Sequence, residues 1–401
     1  MERYAHITGW GMAVPERIMT NADLAEIVDT SDEWIRARTG IRERRIAGPK
    51  ETTGTLAIEA AQAAVEVADI DPATIDLIIV ATSTPEYVFP STACVVQDAL
   101  GALNAGAFDL SAACSGFVYA LSTASNAIRS GAHNTVLVIG AETMSRVVNW
   151  EDRGTCILFG DGAGAFLLQG SEQPGGVLSC LLRADGSGGS SLMIPGGGSR
   201  APASFDTVRE HQHCIYMDGK EVYRFATRVM ASAVKEVAQM GGLELEQLQV
   251  IIPHQANQRI IDSAARTLGM PEEKFVVNLD RYGNTSAASI PIAVCEAVAQ
   301  GRIRPNDNLA MVGFGGGLTW GAALVKWDVM EKADISFWHR ARRRASYEMA
   351  KVRSVVRRGV RQVEGMVYGT GPLRPPPEPS QMPPAQSPPR KQPVDGKAPP
   401  K

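Results

Sequence analysis

The chain has 401 residues, which is longer than one ordinary domain and allows two or three. Hydrophobic residues make up 44% and charged residues 21% of the sequence, and this globular balance excludes a wholly disordered or fibrous protein. No apolar run approaches the ~18 residues of a membrane span, and the N-terminal MERYAHITGW lacks the basic and apolar regions of a signal peptide. We therefore expect a cytoplasmic protein. The 6 cysteines form no CxxC pair, so we expect neither a disulfide framework nor a metal site.

Charge and proline separate a body from an appendage near residue 332. Residues 333–401 carry 14 of the 40 basic residues but only 5 of the 43 acidic residues, so the preceding body is acidic. Of the 24 prolines, 12 lie from Pro372 onward. The body and the appendage therefore need separate interpretations.

Short β-branched runs alternate with long alanine-rich helical patterns through the body. This alternation predicts a layered α/β architecture with largely parallel sheets. The predicted elements are, in chain order, a helix at Thr55–Ala68, strands at Leu77–Val80 and Val136–Ile139, a helix at Glu221–Met240, and strands at Val250–Ile252 and Leu309–Val312.

The two halves of the body repeat one another at a nearly constant offset. The strand residues Ile78 and Ile251 are 173 positions apart, as are the glycines Gly140 and Gly313 that end two other strands, and Leu-Gly helix ends recur at 100–101 and 268–269. We infer a duplication, with one half at 1–172, the other at 173–330, and an active site between them.

Three polar or small-residue segments are candidates for chemistry. Cys114 lies where a strand-like run meets a helical pattern, and a helix N-terminus there would stabilise a thiolate. His254 follows a buried strand, and Asn284 follows a Gly-Asn turn. Each residue alone is more often structural. Cys114 and Asn284, however, follow the repeated Leu-Gly pairs at similar distances, so the duplication would bring nucleophile, base and amide donor into one cleft.

Two glycine-rich runs have different interpretations. The run from Gly313 to Gly317 can bring backbone N–H groups close to a substrate oxygen and form an oxyanion hole; a phosphate cradle is the alternative, but the Lys-Ser/Thr of a P-loop is missing. The run from Gly160 to Gly164 precedes a strand-like segment at Ala165–Leu168, and we interpret it as a packing turn.

Several motifs together resemble β-ketoacyl-acyl carrier protein synthase III, a member of the thiolase-like condensing superfamily. They cover about residues 3–328 in order and include TSDEWIRARTGIRER from Thr30, AACSGF from Ala112, GDGAGA from Gly160, PHQANQRII from Pro253, RYGNTSAAS from Arg281 and GFGGGLTWG from Gly313. The resemblance implies an αβαβα thiolase fold, a homodimer and the catalytic residues Cys114, His254 and Asn284. Thiolases proper have a second cysteine where this chain has Asn284, so the chain is similar to the decarboxylating branch.

The resemblance also implies a mechanism and its binding residues. Cys114 would take an acyl group from an acyl-CoA primer, with the N–H groups of Cys114 and Gly316 as the oxyanion hole. His254 and Asn284 would then stabilise the enolate formed from malonyl-acyl carrier protein, starting fatty-acid biosynthesis without a cofactor. The remaining implied residues are Thr30, Trp34, Arg38, Arg153 and Asn257 for CoA, Arg224, Arg259 and Arg266 for the acidic carrier protein, and Phe89, which across the dimer would limit the acyl pocket to a short primer such as acetyl.

Two other classes of function remain as alternatives. Papain-like hydrolases also present Cys, His and Asn in this order, but the chain lacks the CGSCW-type surroundings of their nucleophile. A non-enzymatic scaffold built around the appendage is the other alternative, and the intact Cys114, His254 and Asn284 argue against it.

The appendage resembles no part of that family. Residues 331–368 predict a basic amphipathic helix, because apolar residues recur at three- and four-residue steps, and residues 369–401 predict a proline-rich disordered tail. The helix either packs on the body or its dimer mate, or binds an anionic membrane surface or an acidic partner. Nucleic acid is not expected, since no recognition motif accompanies the charge. The apolar positions are Trp338, Ala341, Ala345, Met349, Val352, Val356, Val360, Val363 and Val367.

Overall fold

A computed structural model describes residues 2–328, 347–350, 352–361 and 363. The N-terminal half contains β1 (Tyr4–Ala13), β2 (Ile18–Thr20), α1 (Asn21–Ala25), α2 (Asp32–Thr39), β3 (Glu43–Arg45), α3 (Thr53–Ala68), β4 (Leu77–Ala81), α4 (Thr92–Leu100), β5 (Gly106–Leu110), α5 (Gly116–Arg129), β6 (Thr135–Thr143), α6 (Arg153–Cys156) and β7 (Asp161–Ser171).

The C-terminal half begins at the next strand. It contains β8 (Gly176–Ala184), β9 (Leu192–Met193), α7 (Phe205–Arg209), β10 (Tyr216–Met217), α8 (Gly219–Met240), β11 (Val250–Pro253), α9 (Gln258–Leu268), α10 (Leu279–Tyr282), α11 (Ser289–Ala299), β12 (Asp307–Gly315) and β13 (Thr319–Trp327). Short 3₁₀ helices at Ala113–Ser115 and Ser286–Ala288 lead directly into α5 and α11.

The two main sheets have the same strand order. The first is β1-β7-β6-β4-β5, and the second is β8-β13-β12-β11, extended by a parallel bridge between Ile251 and Phe275. Each strand of the first sheet therefore has a counterpart in the second, at about the offset that the sequence repeat predicts.

The sheets are mixed, but β7 and β13 are the strands that run against the others, so the prediction of largely parallel sheets holds for the remaining strands. β4 runs parallel to β5 and β6, and β11 runs parallel to β12, but β7 and β13 are antiparallel to both of their neighbours. The reason is the connection. A helical crossover joins the parallel strands, whereas β12 reaches β13 through the tight turn at 316–318.

Helices α5 and α11 lie between the two sheets. Phe117 and Leu121 of α5 share one buried cluster with Ile290 and Val294 of α11 and with strand residues of both sheets. Helix α3 covers the outer face of the first sheet so closely that a Cβ on Gly9 of β1 would lie 2.1 Å from the carbonyl oxygen of Ala64. Helices α8 and α9 cover the second sheet in the same way. These five layers form the αβαβα arrangement.

The glycine run that begins at Gly160 lies inside a strand and is not the packing turn that the sequence predicts. Strand β7 already begins at Asp161. The glycines are needed because α11 crosses this strand: a Cβ on Gly164 would lie 2.7 Å from the Cβ of Pro291. The same small residues that suggest a turn therefore serve close packing of a helix on a strand.

A helix follows the body, with helical residues at 347–350, 352–361 and 363. Tyr347 and Ala350 are buried against the α3 and α4 layer, and the Ser354 hydroxyl donates to Asp98 of α4 at 2.6 Å. The predicted apolar residues lie on the opposite side: Met349, Val352, Val356, Val360 and Val363 are 50–64% exposed. The helix therefore contacts the body, which is one of the predicted alternatives, but these five apolar residues do not take part in the contact.

The rest of the predicted extension, including Trp338, Ala341, Ala345 and Val367, and the proline-rich tail lie outside the described residues. Across the part of the chain that the structure describes, no helix combines the length and the hydropathy that crossing a membrane requires.

Candidate active site

A cavity of about 490 Å³ lies between the two halves. Cys114, His254 and Asn284 all line it, so the structure brings together the three residues that the sequence analysis selects. Most of the remaining wall is apolar and includes Met144, Leu158, Ile194, Ile215 and Val222. Such a cavity suits the acyl and pantetheine portions of a thioester, since apolar walls exclude water around a few polar groups.

Cys114 lies in the 3₁₀ turn that joins β5 to α5. The preceding residue, Ala113, has a φ of 48°, a left-handed conformation that is strained for a side chain with a Cβ. This turn directs the nucleophile into the cavity at the N-terminus of α5. Ser115 stabilises this turn, because its hydroxyl donates to the Ala112 carbonyl at 2.8 Å and lies 2.7 Å from the Thr319 hydroxyl.

Burial is the main influence on the Cys114 thiol. It raises the pKa of Cys114 to about 12; contact with the Ser286 hydroxyl lowers that pKa, and the charge of Glu142 raises it. Burial therefore opposes the thiolate that the predicted helix N-terminus at α5 would stabilise. The thiol form must lose its proton when Cys114 attacks.

His254 follows β11 and is fixed by its backbone. Its N–H donates to the Val312 carbonyl at 2.8 Å, and its ring packs edge-on against Phe314 with ring centroids 5.2 Å apart. Neither ring nitrogen has a hydrogen-bond partner among the described residues. Burial lowers the pKa of His254 to about 3, so the imidazole is neutral and can offer one N–H to a bound substrate.

Asn284 is held in place at both its backbone and its side chain. Its N–H donates to Leu158 at 2.8 Å and its carbonyl accepts from Gly160 at 3.0 Å, which attaches it to the segment before β7. Its Oδ1 accepts the Ser286 N–H at 2.8 Å. Because the amide oxygen is occupied, the amide NH₂ is the group left to donate to a substrate.

A buried arginine that the sequence analysis missed supports this segment. Arg44 is fully buried and donates to the carbonyls of Ile157 and Met19 and to the side chain of Asn21. Burial lowers its pKa to about 10. Nothing in the sequence distinguishes Arg44 from the adjacent Arg42 and Arg45, so only the structure assigns it this supporting role.

The glycine loop that follows β12 packs directly on the nucleophile. A Cβ on Gly315 would lie 2.6 Å from the backbone nitrogen of Cys114, and Gly316 and Gly317 line the cavity beside it. This placement fits the predicted oxyanion hole at Cys114 and Gly316, because N–H groups of both segments border the same space.

Of the predicted CoA residues, Asn257 lines the cavity, and Trp34, Arg38 and Arg153 form a cluster that Asn257 contacts through the Arg38 backbone. The guanidinium groups of Arg38 and Arg153 lie 4.6 and 4.8 Å from the Trp34 ring centroid. The Thr30 hydroxyl is buried without a hydrogen-bond partner among the described residues. Asn257 lines the cavity and donates to the Arg38 carbonyl at 3.1 Å. An aromatic ring between cations is a surface on which an adenine and its phosphates can bind.

Four other predicted residues lie outside this cavity. Phe89 is 85% exposed on the loop after β4 and does not line the cavity of its own chain. Arg224 on α8 and Arg259 and Arg266 on α9 are exposed on neighbouring helices of the C-terminal half.

Ser286, Phe314 and Glu142 are further site residues that the sequence analysis missed. Ser286 and Phe314 line the cavity, and Glu142 is fully buried beside it. Ser286 lies within the GNTSAAS motif and Phe314 within the glycine run, so both belong to segments that the sequence analysis already selects as candidates for chemistry. Glu142 ends a buried strand, where an acidic residue is itself unusual. Among the described residues no group of three or more His, Cys, Asp or Glu side chains could hold a metal ion.

This five-layer duplicated fold, with a cysteine, a histidine and an asparagine between its halves, is thiolase-like. Residues 108–186 match the family described as 3-oxoacyl-[acyl-carrier-protein] synthase III, and residues 238–327 match its C-terminal domain. The chain is 53% identical over 327 residues to the β-ketoacyl-[acyl-carrier-protein] synthase III of Roseiflexus sp. (strain RS-1), covering 82% of this chain and 99% of that protein.

Other relatives and solved structures agree. Identity is 53% to the synthase III of Caldanaerobacter subterraneus subsp. tengcongensis, over 80% of this chain and 98% of that protein. The synthase III structure from Aquifex aeolicus matches with a TM-score of 0.75 at 48% identity, and that from Thermus thermophilus with 0.76 at 45%; each match covers 80% of this chain and 99% of the other. The chain belongs to the β-ketoacyl-acyl carrier protein synthase III family, and it is a condensing acyltransferase of fatty-acid initiation.

The approach of the Asn284 segment to the first sheet allows a test of this geometry. A Cβ on Gly140 of β6 would lie 2.3 Å from the Ala287 carbonyl oxygen, so Gly140→Ala must push Asn284 and Ser286 away from Cys114. We expect Gly140→Ala to lower the free energy of unfolding by ~1–3 kcal/mol and to abolish condensing activity. Gly186→Ala, with open space around its Cβ, is the matched control in thermal unfolding and activity assays. An active Gly140→Ala protein of unchanged stability contradicts this packing.

Proposed function

We propose that this enzyme condenses a short acyl-CoA, acetyl-CoA in particular, with malonyl-acyl carrier protein, releasing CoA and carbon dioxide and forming 3-oxoacyl-acyl carrier protein. The observation that carries the proposal is the convergence of Cys114, His254 and Asn284 on one apolar cavity. The reaction has two halves, acylation of the cysteine and decarboxylative attack on it.

In the first half, the Cys114 sulfur attacks the thioester carbonyl of the acyl-CoA. The developing oxyanion accepts hydrogen bonds from the backbone N–H groups of Cys114 and Gly316, and CoA leaves as its thiol. Trp34, Arg38 and Arg153 hold the adenine and phosphates, Thr30 lies beside them, and Asn257 contacts the pantetheine. The support for these roles is that Asn257 lines the cavity and donates to the Arg38 carbonyl, and that the Arg38 and Arg153 guanidinium groups lie over the Trp34 ring.

In the second half, malonyl thioester occupies the space that CoA has left. The amide NH₂ of Asn284 and the ring N–H of His254 donate to the thioester carbonyl, and loss of carbon dioxide leaves an enolate bound to these donors. The enolate carbon attacks the acyl-Cys114 thioester and the sulfur leaves. A neutral donor pair suits this step, because it stabilises the developing negative charge without repelling the malonyl carboxylate.

The proposed partners use surfaces outside the cavity. The exposed Arg224, Arg259 and Arg266 would contact the acidic carrier protein. A homodimer would cover the edge strand β5, on which Phe108 is exposed. The Tyr87–Phe89 loop of the same chain is exposed as well and would add apolar surface to that interface. In that dimer Phe89 would limit the partner's acyl pocket, which favours acetyl as primer.

Acylation tests the proposal first. Incubation with acetyl-CoA should add one acetyl group to a peptide containing Cys114, seen by intact-protein and peptide mass spectrometry, and a panel of longer and branched acyl-CoAs reports primer preference. Cys114→Ser should lose the adduct, because an alcohol lacks the accessible anion of a thiol. Cys94→Ser, at an exposed cysteine, is the control and should keep it. No adduct with any acyl-CoA contradicts the proposal, and steady release of free acid favours a hydrolase.

The different roles assigned to the residues in the two half-reactions give a second prediction. Asn284→Ala should slow malonyl decarboxylation by ~10²–10³-fold, because the enolate loses a donor, while acylation of Cys114 continues. Carbon dioxide release and acyl transfer are measured separately, with the exposed Asn104→Ala as control. Equal loss of both half-reactions in Asn284→Ala contradicts the assigned role.

The outward stripe of the C-terminal helix is the surface that would bind an anionic membrane. It consists of Met349, Val352, Val356, Val360 and Val363. Arg353, Arg357 and Arg361 flank the stripe, and each basic residue near such a surface adds ~1 kcal/mol. The full chain should float with anionic vesicles at low salt, and a chain ending at Glu331 should not. If both chains stay unbound, the membrane prediction is wrong; if truncation unfolds the enzyme, the helix belongs to the core.

A further inference from the structure

A buried carboxylate lies beside the nucleophile without a role in the reaction described so far. Glu142, near the end of β6, is fully buried. Its oxygens accept from the backbone N–H groups of Ser83 and Thr84 at 3.0–3.1 Å and from the Thr84 and Thr82 hydroxyls at 2.5 and 3.2 Å. Burial raises the pKa of Glu142, and these donors and the Ser286 hydroxyl lower it, so the site can hold this carboxyl both charged and protonated.

Ser286 connects this carboxylate to Cys114. Its hydroxyl is buried and lies against both the Cys114 thiol and the Glu142 carboxylate. It makes no hydrogen bond of normal geometry to any described residue, so it is free to turn towards either. Contacts used during a reaction are often long in the empty site. The backbone of Ser286 has a φ of 49°, a strained conformation that holds the hydroxyl between the two groups.

The proton of Cys114 needs an acceptor, and His254 is a poor one. The imidazole is buried against Phe314 with no hydrogen-bond partner among the described residues, so an imidazolium there would be an unpaired buried charge. Transfer to Glu142 has no such cost. It replaces one buried anion by another, and the total charge of the Cys114–Ser286–Glu142 group stays at one negative charge.

We propose that Glu142 accepts the Cys114 proton through the Ser286 hydroxyl. Ser286 donates its proton to Glu142 as it takes the proton of the thiol, so that the thiolate forms together with a neutral carboxylic acid. When the thioester carbon–sulfur bond of the acyl-CoA breaks, the proton returns along the same path to the leaving CoA sulfur. Atoms and charge balance without another reactant. The inference rests on Cys114 being the acylated nucleophile.

Removing the charge of Glu142 tests the proposal, because the two possible roles of this carboxylate change the reactivity of Cys114 in opposite directions. If the carboxylate only repels a thiolate, Glu142→Gln removes the repulsion and makes Cys114 more reactive. If the carboxylate takes the proton, the same change makes Cys114 less reactive near neutral pH. The groups that face Glu142 are the neutral Thr82, Ser83, Thr84, Ser286 and Ala287, and Glu142 is the charged group that acts on Cys114, so the pH profile reports this pair.

The experiment measures the rate at which iodoacetamide alkylates Cys114 from pH 6 to pH 9, in the full chain and without any acyl substrate. We expect Glu142→Gln to slow alkylation by ~10²-fold at pH 7. The alkylation rate of this variant should then rise about tenfold for each unit of increasing pH, since hydroxide must remove the proton. Ser286→Ala should slow acylation of Cys114 by acetyl-CoA, because the relay then lacks its hydroxyl, and Glu142→Asp should restore part of the alkylation rate. Glu86→Gln, a carboxylate on the adjacent loop, is the matched control.

Two outcomes overturn the proposal. Faster alkylation in Glu142→Gln shows that the carboxylate only repels, and an unchanged acylation rate in Ser286→Ala shows that no proton passes through this hydroxyl. Malonyl decarboxylation separates the role from a general structural one: it should stay within about twofold in Ser286→Ala, and an equal fall in both half-reactions also contradicts the relay. If wild-type Cys114 is alkylated but not acylated by any acyl-CoA, the proposed function fails while the relay still stands.

Discussion

The active site depends on the close approach of the segment 284–288 to the first half of the molecule. The Ala287 carbonyl lies so near Gly140 of β6 that a Cβ there would be 2.3 Å away, and the Tyr282 carbonyl would be 2.2 Å from a Cβ on Gly160. Both glycines are needed for contact and not for conformational freedom. Because the segment lies this close, Asn284 and Ser286 from one half reach the cavity beside Cys114 from the other.

Burial then sets the charge states of the site. Burial lowers the pKa of His254 and raises the pKa of Cys114 for the same physical reason, since each charged form would lose hydration. A neutral His254 beside the amide of Asn284 is a good enolate stabiliser and a poor base. In the proposed mechanism, the site therefore separates enolate stabilisation, on the second half of the molecule, from thiol chemistry, which involves Cys114, Ser286 and the buried Glu142.

The sequence predicts the architecture well because duplication leaves a repeat that a single chain displays. The offset of 173 between Gly140 and Gly313 corresponds to the matching strands β6 and β12, and the motif residues Cys114, His254 and Asn284 do meet. What it misses depends on three-dimensional packing. Burial of the Cys114 thiol opposes the effect of the helix terminus, Arg44 is indistinguishable from Arg42 and Arg45 until one is buried, and the face by which the C-terminal helix contacts α4 is set by Tyr347, Ala350 and Ser354 and not by its apolar stripe.

The stoichiometry of one turnover tests the central claim most directly. Purified full-length enzyme is mixed with acetyl-CoA and malonyl-acyl carrier protein, and CoA, carbon dioxide and 3-oxobutyryl-acyl carrier protein are measured together by mass spectrometry and gas capture. The account predicts that the three products appear in equal amounts and that all three vanish in Cys114→Ser. Release of acetate and CoA without carbon dioxide, or carbon dioxide without a new carbon–carbon bond, would contradict it.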